Sequence, residues 1–372
     1  YICDVIRYWV SEFDVDGIRL DAADVLDFDF MRMLRRTAEE VKPDFWLMGE
    51  VIHGDYSRWV NGETLHSVTN YALHKALYSG HNDHNYFEIA HTVKYLQNMG
   101  NLDLYNFVDN HDVERIYTKL SNKAHFTPVH ILLYTLPGVP SIYYGSEFGI
   151  EGRKERSSYD CLRPALSLDN YETALEDNPC TALIAALGQI RQHTPALSYG
   201  SYAELHLTNR QFAFARDLND VRVVVTVNND DNAASMDLPA GNAVEYIGAL
   251  SGQKVAVQDG RINVTVPANS GEIWVPAGDM PEYKPFKVEI SVKEETVTDE
   301  ESIPADSEAP SSATEPVHFD PNKSPEDMSV AELQAAILAK MANNGPVSDQ
   351  MKKTVNENIW HDSLVNWLKS FR

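Results

Sequence analysis

Cationic charge is what this 372-residue chain has least of: 31 Lys and Arg stand against 55 Asp and Glu, a net charge of −24. So acidic a surface repels phosphate backbones and anionic headgroups, which sets nucleic acid and charged membranes aside as partners. It suits a neutral substrate. No apolar run approaches the roughly 20 residues that cross a bilayer, so no membrane span is expected. Cysteine is also scarce. Cys3, Cys161 and Cys180 are far apart and show no metal-ligand spacing, so they read as free thiols, with a slight lean toward a reducing, cytoplasmic setting. The chain opens on Tyr1 inside a helical pattern, without an initiator methionine or signal-like segment, so its start says nothing of location.

What is present is a series of carboxylates at the ends of short apolar runs. Residues 15–20 read as a buried strand that ends at Asp21, and residues 45–49 as another that ends on Glu50. Residues 104–108 run into Asp109, Asn110, His111 and Asp112. Between the first two, Phe28, Met31, Leu34, Ala38 and Val41 mark one face of a helix that Pro43 closes. Further strands are expected over residues 65–71 and 140–144. Acids at the tips of strands separated by helices are how a (β/α)8 barrel gathers catalytic groups around one mouth. Three of them suggest glycoside chemistry, in which one carboxylate attacks and another protonates the leaving oxygen.

Three motifs make this specific. GIRLD, MGE and FVDNHD, in this order and at these spacings, resemble the second, third and fourth signature regions of the α-amylase family, family 13 of the glycoside hydrolases. The resemblance covers about three quarters of the chain. It implies that Asp21 is the nucleophile, Glu50 the general acid/base and Asp112 the transition-state stabiliser. Arg19 would hydrogen-bond the nucleophile, and His111 a sugar hydroxyl. His53, in a polar and aromatic loop, and Arg163, in an Arg- and Lys-rich loop, are further candidate substrate contacts. A lone strand-end acid is as readily a helix cap, but the trio with Arg19 and His111 is not.

The activity so implied is retaining hydrolysis of α-1,4-glucosidic bonds in starch-derived maltooligosaccharides or related α-glucans. An α-glucanotransferase or branching enzyme would use the same trio, and a non-catalytic carbohydrate-binding relative is the remaining alternative. LDAADVLD resembles the neopullulanase and cyclomaltodextrinase branch, although Ile52 stands where that branch usually carries Trp. The resemblance also implies that the chain begins at the helix before the fourth barrel strand. Three strands, the first signature region and a protruding domain that often binds calcium would lie upstream. No cofactor is evident and no metal is expected in the site; calcium would belong to the missing N-terminal part. This chain by itself is expected to be inactive.

The fold expectation is α/β: an incomplete (β/α)8 TIM barrel (strands 4 to 8) over residues 1–196, then an antiparallel β-sandwich over residues 197–279. The sandwich rests on the alternating runs QFAFAR, VRVVVTV, RINVTV and GEIWV, broken by Asn, Asp and Gly turns. Residues 280–325, rich in Glu, Ser, Thr and Pro, read as a disordered linker. A helical hairpin over residues 326–372 follows. Ser329 and Glu332 form a capping box before its first stripe, and the second starts near Ser348. The hairpin could dock a protein partner or simply bury its own stripes. His74, His81, His84 and His91 read as solvated loop histidines rather than metal ligands.

Overall fold

The computed structural model describes residues 1–156, 158–279, 323–324, 328–343 and 368. Helix α1 (Ile2–Phe13) leads into β1 (Gly17–Leu20), and α2 (Phe28–Val41) into β2 (Trp46–Gly49). Asp27 starts α2 by accepting from Phe30 N at 2.9 Å, which satisfies one of the free amides of the first turn. Strands β1 and β2 run parallel with Gly17 opposite Trp46. Glycine is needed at that place, since a Cβ would clash with the Trp46 carbonyl oxygen.

Next come β3 (Ser67–Val68), α3 (Tyr71–Asn82), α4 (Tyr86–Gln97) and β4 (Tyr105–Phe107). Helices α5 (Ile116–Lys119) and α6 (Phe126–Thr135) precede β5 (Val139–Ser141). Strand β3 lies parallel to β2, β4 parallel to β5, and a parallel bridge between Thr69 and Tyr105 joins the two groups. The strands thus follow one another in sequence order, as in a barrel wall.

Two strands are shorter than their apolar runs suggest. Strand β3 is bounded at both ends by side-chain hydrogen bonds. His66 Nδ1 accepts from Leu47 N at 2.9 Å, and Asn70 Oδ1 accepts from Leu73 N at 3.1 Å to start α3. Strand β5 stops at Ser141, short of the expected residue 144, because the chain swings into a turn at Gly145, whose φ is 87°.

After the one-turn helix α7 (Ala174–Asp177), α8 (Pro179–His193) starts with Pro179 in its first turn and Asn178 capping Cys180 and Thr181; α9 (Pro195–Tyr199) ends the helical part. Antiparallel strands then follow: β6 (Ser201–Leu207), β7 (Gln211–Leu218), β8 (Val221–Asn228), β9 (Ala234–Pro239), β10 (Glu245–Gly248), β11 (Lys254–Ala256), β12 (Arg261–Val266) and β13 (Ser270–Pro276). They form a six-stranded sheet in the order β11-β10-β13-β8-β7-β6 and a two-stranded sheet of β12 and β9. Period-two alternation divides the large sheet's side chains. Val224 and Trp274 pack against Met236, Leu238, Ile262 and Val264 of the small sheet. Val223, Val225, Val227 and Ile273 turn the other way, into one core with Leu77 of α3, Leu132 of α6 and Leu187 of α8.

The second compact unit, residues 295–372, is described by α10 (Val330–Asn343) and a few neighbours. Its capping box closes in both directions: Glu332 N donates to Ser329 Oγ at 3.3 Å and Ser329 N to the Glu332 carboxylate at 2.7 Å. Lys323 and Ser329 hold that carboxylate down at about 2. Leu333 and Ile337 are buried. The expected linker and second stripe lie outside the described residues, apart from Lys323, Ser324 and Leu368. Among the described residues no helix is long and apolar enough to cross a membrane.

The histidine reading needs correction. His74 and His81 are not in a solvated loop but on α3, facing the core, with 5% and 0% of their surface exposed. Burial keeps both neutral, lowering them to about 4 and about 3.

Candidate active site

Strand pairing stitches the first two acid-bearing tips together: Glu50 N donates to Leu20 O at 2.9 Å, and Ala23 N returns to Glu50 O at 2.8 Å. Between them Ala22 adopts a left-handed turn, φ 43°, which folds the chain directly after Asp21. Arg19, two residues before Asp21 on β1, reaches both acids. Its Nη1 lies 2.6 Å from Asp21 Oδ1 and its Nη2 2.9 Å from Glu50 Oε2, so a single guanidinium bridges the two carboxylates. Their surroundings differ. The Asp21 side chain is 81% exposed and that of Glu50 only 12%.

The other Glu50 oxygen, Oε1, accepts from Tyr71 Oη at 3.4 Å, and Tyr71 Oη accepts in turn from Asn110 Nδ2 at 3.1 Å. Burial, with the negative charges of Glu50 and Asp112 beside it, pushes the Tyr71 phenol up to about 12, so it remains a donor. Asn110 also shapes the tip of β4: its Oδ1 accepts from Asp112 N and Val113 N, a tight turn that presents His111 and Asp112. Asp112 lies 3.2 Å from His111 Nε2 and 2.8 Å from Arg163 Nη2, and Arg163 Nε donates to His111 O at 3.1 Å. A cleft of about 270 Å³ lies between these tips, with Arg19, Glu50, Asn110, His111 and Tyr143 in its wall. Of the three acids only Glu50 lines this cleft, and a larger cavity, about 410 Å³, lined by Leu104, Pro137, Tyr199 and Arg216, holds none of them.

Of the residues singled out from sequence, Arg19, Asp21 and Glu50 therefore come together, and His111, Asp112 and Arg163 form a second group. Tyr71 and Asn110 tie the first group to the β4 tip. Arg163, expected as a substrate contact, is engaged with Asp112. His53 is exposed on the loop after β2 and is not part of the cleft wall. Tyr71 was not anticipated, because nothing near it in sequence resembles a catalytic motif. Among the described residues no three His, Cys, Asp or Glu side chains are placed to hold a metal ion.

The alpha amylase catalytic-domain family matches residues 1–197, over half of the chain. The chain belongs to the α-amylase family. The alpha-amylase C-terminal domain family matches residues 200–274. This α-amylase-family chain is 30% identical over 236 residues to a cyclomaltodextrinase of Thermoanaerobacter pseudethanolicus, covering 62% of this chain and 40% of that protein. It is 28% identical over 284 residues to neopullulanase 2 of Thermoactinomyces vulgaris, covering 73% of this chain and 47% of that one. The chain thus spans less than half the length of these two relatives. Among solved structures, an Anoxybacillus α-amylase superposes with a TM-score of 0.65 at 23% identity, covering 76% of this chain and 63% of that one, a likeness of fold.

Proposed function

We propose that these residues serve a retaining glycoside hydrolase that cleaves α-1,4-glucosidic bonds in maltooligosaccharides or related α-glucans. The observation that carries this reading is the Arg19 bridge between Asp21 and Glu50. It brings both carboxylates onto one guanidinium, which supports a pair acting together, as the two acids of a retaining enzyme do across about 5–5.5 Å. Similarity to a cyclomaltodextrinase extends the substrate class to cyclic glucans.

In the first step Asp21 attacks the anomeric carbon and forms the glycosyl–enzyme bond, while the carboxylic acid of Glu50 gives its proton to the departing glycosidic oxygen. In the second, the Glu50 carboxylate takes a proton from water, whose oxygen displaces Asp21 with a second inversion. Arg19, 2.6 Å from Asp21 Oδ1, aims the nucleophile. Tyr71, donating to Glu50, fixes the orientation of the acid without competing for its proton. Asp112, held by Arg163 and His111, places negative charge beside the developing oxocarbenium ion.

The test uses the complete protein. Glu50→Gln should slow hydrolysis of maltooligosaccharides far more than glycosylation by an aryl α-maltoside, whose leaving group departs without a proton. The released sugar should keep the α configuration by NMR. Equal losses on both substrates, or a β product, would overturn the assignment.

A further inference from the structure

A fully buried arginine lies behind the Asp112 group. Arg115, 0% exposed, makes no ion pair with any described residue. Its Nη1 donates to Tyr144 O at 2.6 Å and to Ser146 Oγ at 3.1 Å, its Nη2 donates to Leu162 O at 2.9 Å, and its guanidinium carbon lies 4.2 Å over the Tyr143 ring. Ser146 Oγ donates onward to the buried Asp109 carboxylate at 2.8 Å, which also accepts from Ile116 N at 2.7 Å. One guanidinium thus joins the loop after β4, the loop after β5 and the segment before residue 163. A cation kept from water costs several kcal/mol, and an apolar side chain would fill the space at less expense. What an arginine alone provides is a rigid fork that reaches acceptors in different loops.

The residue after Leu162 is Arg163, the partner of Asp112. We propose that Arg115 is a positioning residue for Asp112: by holding the Leu162 carbonyl it fixes Arg163, which fixes the carboxylate. This rests on the reading that Asp112 takes part in catalysis. Lysine at 115 would retain the charge but not the fork, so Asp112 would lose its register while the fold stays largely intact.

The experiment is a double-mutant cycle in the complete protein, with kcat and KM measured on an aryl α-maltoside for Asp112→Asn, Arg115→Lys and the pair. Arg115→Lys should lower kcat by about tenfold to a hundredfold with KM within about threefold, since misplacement of a transition-state group acts on turnover. In the Asp112→Asn background the same change should cost less than about twofold, because residues acting through one another are not additive. Arg163→Gln, at a side chain 47% exposed, should reproduce both results with an unchanged melting temperature. A full loss from Arg115→Lys that persists in the Asp112→Asn background overturns the proposal, as does an Arg163→Gln variant with wild-type kcat. Wild-type turnover in Asp112→Asn alone overturns the catalytic reading and this proposal with it.

Discussion

At the strand tips, charge is kept and paired: Arg19 with Asp21 and Glu50, Arg163 with Asp112, on side chains that range from mostly buried Glu50 to mostly exposed Asp21. Where the helices meet the antiparallel sheet, polar groups are treated in the opposite way. His81, His125 and His130 are at most 1% exposed; the rings of His81 and His125 are 5.6 Å apart, and His84 sits 5.3 Å from His125 and within 3.0 Å of Arg210 Nη1. Burial pushes His130 down to about 4 and His81 to about 3, and lowers His125. Charge placed for chemistry can stay near solvent, whereas the seam's buried histidines persist by being neutral.

The sharpest break of that comparison is Asp21→Asn. Turnover on maltooligosaccharides should fall by about a thousandfold or more, as for loss of a nucleophile. The melting temperature should hardly move, because the side chain is 81% exposed. A collapse of the fold would give Asp21 a structural part. The converse change is Leu132→Ala in the seam. At 0% exposure it should cost about 2–5 kcal/mol in urea denaturation and leave kcat near wild type.

The seam's histidines also predict an acid limit to stability. Each has a folded pKa below its ordinary 6.5, so the unfolded chain takes the proton first. Their stabilisation is whole above about 6.5 and is lost as pH falls toward about 4, at up to ~1.4 kcal/mol per pH unit for each histidine. Urea midpoints between pH 7 and about 4.5 should show that slope, and His130→Gln should make it shallower; an unchanged slope removes His130 from the account. The smallest effect is expected from His53→Ala. Exposed on the loop after β2 and outside both the Arg19 and the Asp112 groups, His53 should change kcat/KM by less than about twofold when removed, and a larger loss would restore it as a substrate contact.

That Arg19, Asp21, Glu50, His111 and Asp112 would stand at strand ends was legible because each sits in a short contiguous motif, GIRLD, MGE or FVDNHD, that resembles a signature region of the family. Tyr71 and Arg115 were not, because their partners lie 21 to 47 residues away and become neighbours only in the fold. The histidines were misread for a different reason. HNDH looks like a polar loop, yet His74, Leu77 and His81 recur at helical spacing, and that periodicity, rather than residue type, decided their burial. The strands' order followed from the alternation of apolar runs and helices. Their lengths did not, since His66 and Asn70 bound β3 with side-chain hydrogen bonds that no hydropathy pattern encodes.

The two family matches meet between residues 197 and 200, yet the hydrophobic cluster ignores that joint: Leu77, Leu132 and Leu187 on one side share it with Phe212, Val225 and Ile273 on the other. For the lineage this means that the segments are not exchangeable cassettes. A recombination at residue 198 would inherit a foreign sheet face against native helices, and the mismatch would fall on every residue of a common interior at once. A change of side-chain volume in α3, α6 or α8 is therefore felt across the joint by β8 and β13, because all of them line one interior.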